Sequence, residues 1–222
     1  MGKTNLEATV LSVNRAGTKC LLVPMDLHNP AEFDEFLRQR ISCGWDKEVE
    51  IIEGCRKRMD DKTKFLFWIV PAELAESPGT SRFAGHISLQ TTAHPPDLEL
   101  ANPDKTVLMI STFFILPEYR RGGLGRAAVQ ALEERARVEP YGSPACRALA
   151  LTALSRRYTE DDEWRGFYAE RGMEAPDKGS SIEDWYTRMG YVKWKEEPRY
   201  RDKLQDGTEI VLLASFLRKE LR

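Results

Sequence analysis

The run Arg120-Arg121-Gly122-Gly123-Leu124-Gly125-Arg126 sets glycines among arginines just where a helix-forming segment begins. The first turn of a helix leaves backbone N–H groups without partners and carries the positive end of the helix dipole. The chemistry on offer is therefore anion binding, with a pyrophosphate as the natural ligand, and glycine lets that ligand approach the main chain. Groups able to act as a base are scattered: His86 in an apolar run, His94 among prolines, Glu118 beside the glycines, and the acids of Glu160 to Glu163. Each also has a plainer reading, as a packing residue, a turn residue or solvated surface. Trp45 and Trp68 could line a pocket, although core packing is the expectation for both.

The glycine run needs a strand to deliver it and a helix to follow. Val107 to Ile115 is apolar, aromatic and β-branched on both parities, as in a central strand buried on both faces, and Pro117 ends it. From Gly125 the sequence RAAVQALEERA is rich in helix formers. Leu124, Ala128, Ala131 or Leu132 and Arg135 recur at helical spacing.

Around this centre the chain alternates. Leu6 to Val13 and Lys19 to Val23 read as strands about a turn at Asn14 to Thr18. A helix starts at His28-Asn29-Pro30 with Phe33, Phe36, Leu37 and Ile41 on one face, and Gly44 stops it. A second helix covers about Lys47 to Met59, followed by a charged turn, Asp60 to Lys64. Phe65 to Val70 and Phe83 to Gln90 read as an antiparallel pair, and Arg147 to Ala153 as a strand. Ser155 to Gly179 is a long charged insertion, a substrate-facing lid or a solvated excursion. Ser181 to Met189 is a short helix with Ser181 as cap and Gly190 as stop. Tyr191 to Lys195 and Glu209 to Leu217 are the last strands, around the turn Gln205-Asp206-Gly207.

Gly123, Gly125 and Ala128 also fit the Gly-x-Gly-x-x-Ala form of a dinucleotide fingerprint. That fingerprint wants an acid at the end of the next strand, whereas here the strand ends Leu151-Thr152-Ala153. A nicotinamide-dependent oxidoreductase and a plain ligand-free turn stay open as alternatives.

The order Ile115-x-Pro117-Glu118-Tyr119-Arg120-x-x-Gly123-x-Gly125 resembles the acetyl-coenzyme A signature of the GNAT family of N-acetyltransferases. Gly85-His86-Ile87-Ser88-Leu89 resembles that family's third strand. Trp185-Tyr186-Thr187-Arg188-Met189-Gly190-Tyr191 is similar to its second signature, with only Arg188 charged where a charged pair is usual. The resemblance implies an α/β fold of mixed α+β type: a mostly antiparallel twisted sheet of about six to seven strands, with helices on both faces. It implies one domain over residues 1–222 with an inserted loop at about 155–180. The function implied is direct transfer of an acetyl group from acetyl-CoA to a primary amine, on a small molecule or a peptide. The cofactor contacts implied are Phe113, Phe114, Ile115, Arg120, Arg121, Gly122, Gly123, Leu124, Gly125 and Arg126, with the oxyanion donor a backbone N–H near Phe114 or Ile115. The pantetheine arm would lie between the fourth and fifth strands, where they splay. Tyr186 would be the general acid towards the departing thiolate. Gly166-Phe167-Tyr168-Ala169-Glu170-Arg171-Gly172 fits the second signature too and makes Tyr168 the alternative, but Tyr191 leads directly into a strand and Gly172 does not. A catalytically idle acyl-CoA sensor or scaffold is a further alternative.

A length of 222 residues, 41% hydrophobic, suffices for a full core. A formal charge of −2 and a pI near 6.0 offer no overall attraction to nucleic acid or an anionic membrane. Cys20, Cys43, Cys55 and Cys146 lack metal-ligand spacing, so free thiols and no metal are expected. MGKTNLEATVLS has neither the apolar core of a signal peptide nor a myristoylation pattern, and no run approaches a spanning helix. A cytoplasmic, or also nuclear, location is expected, and the sequence is silent on oligomeric state.

Overall fold

The computed structural model describes residues 19–221. The expected strand Leu6 to Val13, its turn and the N-terminal features lie outside the described residues. Among the described residues seven strands, numbered in chain order, form one sheet in the order β1-β2-β3-β4-β5-β7-β6. Every pairing with a described register is antiparallel except β4 with β5. The expected mixed, mostly antiparallel α/β fold is found. It is incompatible with the parallel doubly wound sheet that the dinucleotide alternative requires. Residue contacts divide the chain into two compact units.

One unit takes in the described residues up to Gln90 together with Thr112–Tyr141. It holds β1 (Cys20–Pro24), α1 (Pro30–Cys43), α2 (Val49–Asp60), β2 (Lys64–Pro71), β3 (Gly85–Gln90), the last part of β4 (Val107–Ile115) and α3 (Leu124–Arg135). Asn29 caps α1 by accepting from the Ala31 N–H, Pro30 opens it, and Gly44 closes it at φ 80°. Its buried face differs from the expected one. Phe36 is buried, but Ile41 is 58% exposed, and Gln39 and Arg40 occupy the interior side of the last turns. Ile41 lies five positions beyond Phe36, about 140° around the helix, while positions three and four beyond it stay on Phe36's side. In α2, Ile52 and Cys55 turn inward and Ile51 turns out. Phe36, Ile52, Leu66 and Trp68 centre this core, and Trp68 stacks on Phe83 at 4.3 Å while its indole N–H donates to Glu32 at 2.6 Å.

The other unit comprises Thr91–Ser111 and Gly142–Arg222. It holds the first part of β4, then β5 (Ala148–Leu154), α4 (Arg157–Glu160), α5 (Asp162–Glu170), α6 (Ile182–Thr187), β6 (Val192–Lys203) and β7 (Glu209–Glu220). Val107, Met109, Ala148, Ala150, Ala214 and Phe216 lie in its core. The β4–β5 register runs from Val107↔Ala148 to Met109↔Ala150, and β5 continues to Leu154. The charged insertion is not loop throughout: α4 and α5 form in it around Tyr158, Phe167 and Tyr168, all buried. The Tyr158 hydroxyl accepts from Leu213 N–H at 3.1 Å, so this segment packs on β7. Strand β6 runs well past the expected Lys195, with register shifts near Lys195 and Pro198. It is an edge strand, where a proline removes no needed donor.

Among the described residues no helix is long and apolar enough to cross a membrane, and no His, Cys, Asp or Glu group is arranged to hold a metal ion. The four cysteines are free.

Candidate active site

The glycine corner is built as its sequence demands. After β4 a short 3-10 turn, Pro117–Tyr119, delivers Arg120, and α3 begins at Leu124. Arg121 at φ 69° and Gly123 at φ 82° are left-handed, and no side chain caps α3. Its first-turn N–H groups are thus left to a ligand or to water. A Cβ added to Gly122 would meet nothing, and Arg121, Gly122, Gly123 and Arg126 are exposed while Leu124 is buried as the helix's anchor. This exposed, uncapped and glycine-lined helix start fits a diphosphate.

Arg120 is tied back to its own strand. Its Nε donates to the Ile115 carbonyl at 2.9 Å and its guanidinium lies 5.4 Å from the centre of the Phe114 ring, so the side chain folds back and fastens the end of β4. A cation with no sequence signal for this place is Lys19, whose Nζ donates to the Gly122 carbonyl at 3.1 Å across a separation of 103 residues. Arg135 fastens the far end of α3 by donating to the Leu22 carbonyl at 3.3 Å.

Within β4, Thr112 stands at φ 50°, a region β-branched residues avoid, at a cost of order 1–3 kcal/mol. Its hydroxyl accepts from Lys64 Nζ at 2.8 Å, and Lys64 also donates to Ser88 Oγ at 3.1 Å. Lys64 is 1% exposed, and burial lowers its ammonium to about 8. A hydrogen bond from a charged donor is worth about 1.5–3 kcal/mol, enough to offset the strain at Thr112. On the neighbouring strand, Gly85 is required by close approach, because any Cβ there would run into the Phe114 carbonyl oxygen.

His86 is excluded as a base by its partners. Its Nε2 lies 3.5 Å from Arg40 Nη1, which can only donate, and its Nδ1 lies 2.9 Å from Gln39 Oε1. The proton therefore sits on Nδ1 and the ring is neutral. Burial first, then the charges of Arg40 and Lys64, hold it well below the usual histidine range. Arg40 in turn donates to the Trp45 carbonyl and to Asp46. His94 and Glu118 are exposed. Glu160 accepts from Gly179 N–H and Asp162 pairs with Lys178 at 2.6 Å, so both close the insertion on itself.

In the second unit, Ser181 caps α6 by accepting from Asp184 N–H, as its spacing predicts. Tyr186 is 4% exposed, packed edge-on against Trp185 at 4.8 Å and Tyr191 at 5.4 Å, and burial pushes its phenol well above the ordinary tyrosine range. It therefore keeps its proton at neutral pH. One turn earlier Glu183, also buried, accepts from Ser215 Oγ at 2.5 Å and from Arg156 N–H at 3.0 Å, and pairs with Lys193 at 3.2 Å. This carboxylate ties α6 to β7 and to the start of α4, a link that no charge spacing along the chain signals. Tyr168 on α5 is buried as well, with its phenol raised chiefly by burial. Gly172 at φ 68° follows α5 and leads into a loop, whereas from α6 only the short turn at residues 188–191 leads to β6.

A seven-stranded mixed sheet whose parallel β4–β5 pair is linked through a glycine-led helix defines a fold of the mixed α/β class. The chain belongs to the acetyltransferase (GNAT) family, whose profile matches residues 32–173. It is accordingly an acyltransferase that takes acetyl-CoA as acyl donor. No match was found among curated protein sequences. Similar solved structures include Arabidopsis thaliana NAA60 in complex with acetyl-CoA, at 12% identity and TM-score 0.58, covering 91% of this chain and 98% of that one. An aminoglycoside 6'-N-acetyltransferase complexed with coenzyme A stands at 12% identity and TM-score 0.57, covering 91% and 97%. A spermidine N-acetyltransferase SpeG chimera from Vibrio cholerae and hSSAT stands at 10% identity and TM-score 0.55, covering 91% and 96%. At these identities the likeness is one of fold.

Proposed function

We propose that the protein passes the acetyl group of acetyl-CoA directly to a primary amine, on a small molecule or a peptide, with Tyr186 as general acid. The observation that carries this is the corner at Arg121 to Arg126, where left-handed backbone and an uncapped helix start offer N–H groups to the donor's diphosphate. Gly122, Gly123 and Gly125 admit it, with Arg121 and Arg126 exposed beside them. An N–H of β4 at Phe114 or Ile115 would meet the thioester oxygen as charge develops on it. The neutral amine nitrogen attacks the carbonyl carbon, the C–S bond breaks, and the thiolate takes the Tyr186 proton while the amine's surplus proton leaves to water. No covalent enzyme intermediate is needed. A phenol that holds its proton at neutral pH is in the right state for that part.

The acceptors named for similar folds, spermidine and aminoglycosides, share an aliphatic amine with peptide N-termini and lysine. The test is thiol release from acetyl-CoA against a panel of polyamines, aminoglycosides and peptides, wild type beside Tyr186→Phe. General-acid loss predicts a fall in kcat of about 100-fold or more with acetyl-CoA affinity kept. Unchanged turnover in Tyr186→Phe transfers the role to Tyr168, and no amine-dependent release from any acceptor favours the idle acyl-CoA sensor.

A further inference from the structure

Lys64 is a fully buried cation that the chemistry so far leaves unused, and it bonds to the one β-branched residue that stands in left-handed backbone within a described strand. Its donation to Ser88 Oγ ties the same ammonium to β3, on which Gly85 admits the Phe114 carbonyl. The distortion of β4 is thus gripped at Thr112, and two residues further on the Phe114 carbonyl fits closely over Gly85. Arg120 fixes the strand's end through the Ile115 carbonyl.

We propose that Lys64 is a positioning residue for acyl transfer: by holding the Thr112 hydroxyl it fixes the left-handed turn in β4, and with it the direction in which the Phe114 and Ile115 N–H groups face. The inference rests on the reading above, in which one of those groups meets the acetyl carbonyl oxygen. A threonine released from this tether relaxes towards ordinary extended backbone, which rotates the peptide units that follow it. A glycine needs no tether, because positive φ costs it nothing.

Infrared spectroscopy of acetyl-CoA carrying 13C at its thioester carbonyl reads this without an acceptor. In the wild type the bound carbonyl stretch moves to lower wavenumber than in solution, the signature of a donated hydrogen bond. Lys64→Met and Thr112→Val each lose most of that displacement while acetyl-CoA affinity, measured by calorimetry, changes little. Thr112→Val keeps Lys64 in place and so covers the case in which Lys64→Met folds poorly. Adding Thr112→Gly to Lys64→Met restores the displacement. A full displacement in both single variants, or no recovery in the double variant, overturns the role of Lys64 and leaves the functional reading standing. A wild-type protein that binds no acetyl-CoA overturns both.

Discussion

Lys64 carries a pH dependence whose sign follows from its burial. In the folded protein its ammonium gives up a proton at about 8, against 10.5 for the ordinary side chain. Below pH 8 both folded and unfolded chains are protonated, and the cost of burying the charge is fully present. Between 8 and 10.5 the unfolded chain holds more protons, so stability rises with pH. Denaturant unfolding of wild type minus Lys64→Met, at pH 7 and pH 10.5, should show the wild type gaining about 3 kcal/mol on its variant. No change in that difference would mean the ammonium is not desolvated. Gly85 gives a second residue-level expectation. Alanine there drives a Cβ against the Phe114 carbonyl oxygen, and backbone cannot yield as a side-chain tip can. Gly85→Ala should lose about 1–3 kcal/mol in the same assay. Gly85 was marked in the sequence only as part of a strand pattern, and Lys64 was not legible as special at all. Lys64 read as the last member of the charged turn Asp60 to Lys64, because lysine is so seldom buried, and only the packing around β2 and β3 shows otherwise.

At the scale of the element, what could be read was what local chemistry decides. Strand β4 falls on its apolar run from Val107 to Ile115, and α1 and α6 carry the caps that Asn29 and Ser181 announce. Replacing Ser181 with alanine leaves α6 without its side-chain acceptor and should cost about 1 kcal/mol, seen as a lowered Tm. The hydroxyl also sits at the head of the helix that carries Tyr186, so kcat should fall with stability. A Tm unmoved by Ser181→Ala would place the hold on α6 entirely in Glu183. What could not be read depended on partners far along the chain. Gln39 and Arg40 are buried because His86 and the Trp45 carbonyl receive them. The insertion forms α4 and α5 because Tyr158 finds Leu213. Strand β6 continues through Pro198 because it lies at a sheet edge.

For the whole molecule, the glycine run stood out in the sequence because its residue types suffice to specify a left-handed turn and an open helix start. The mixed, mostly antiparallel character of the sheet followed only from the resemblance that those residues carry. The acceptor side is different: His86 is closed off by Arg40 and Gln39, and Glu160 and Asp162 are engaged with Gly179 and Lys178. In the proposed reaction the amine's surplus proton is accordingly given to water. All of this depends on the corner at Gly123 receiving the donor's diphosphate. Calorimetric titration with acetyl-CoA, wild type beside Gly123→Glu, tests it most directly, since glutamate brings both a side chain at φ 82° and a negative charge to the helix start. Saturable binding by the wild type and none by a variant of unchanged circular dichroism is the predicted result. Equal binding by both proteins would contradict the account.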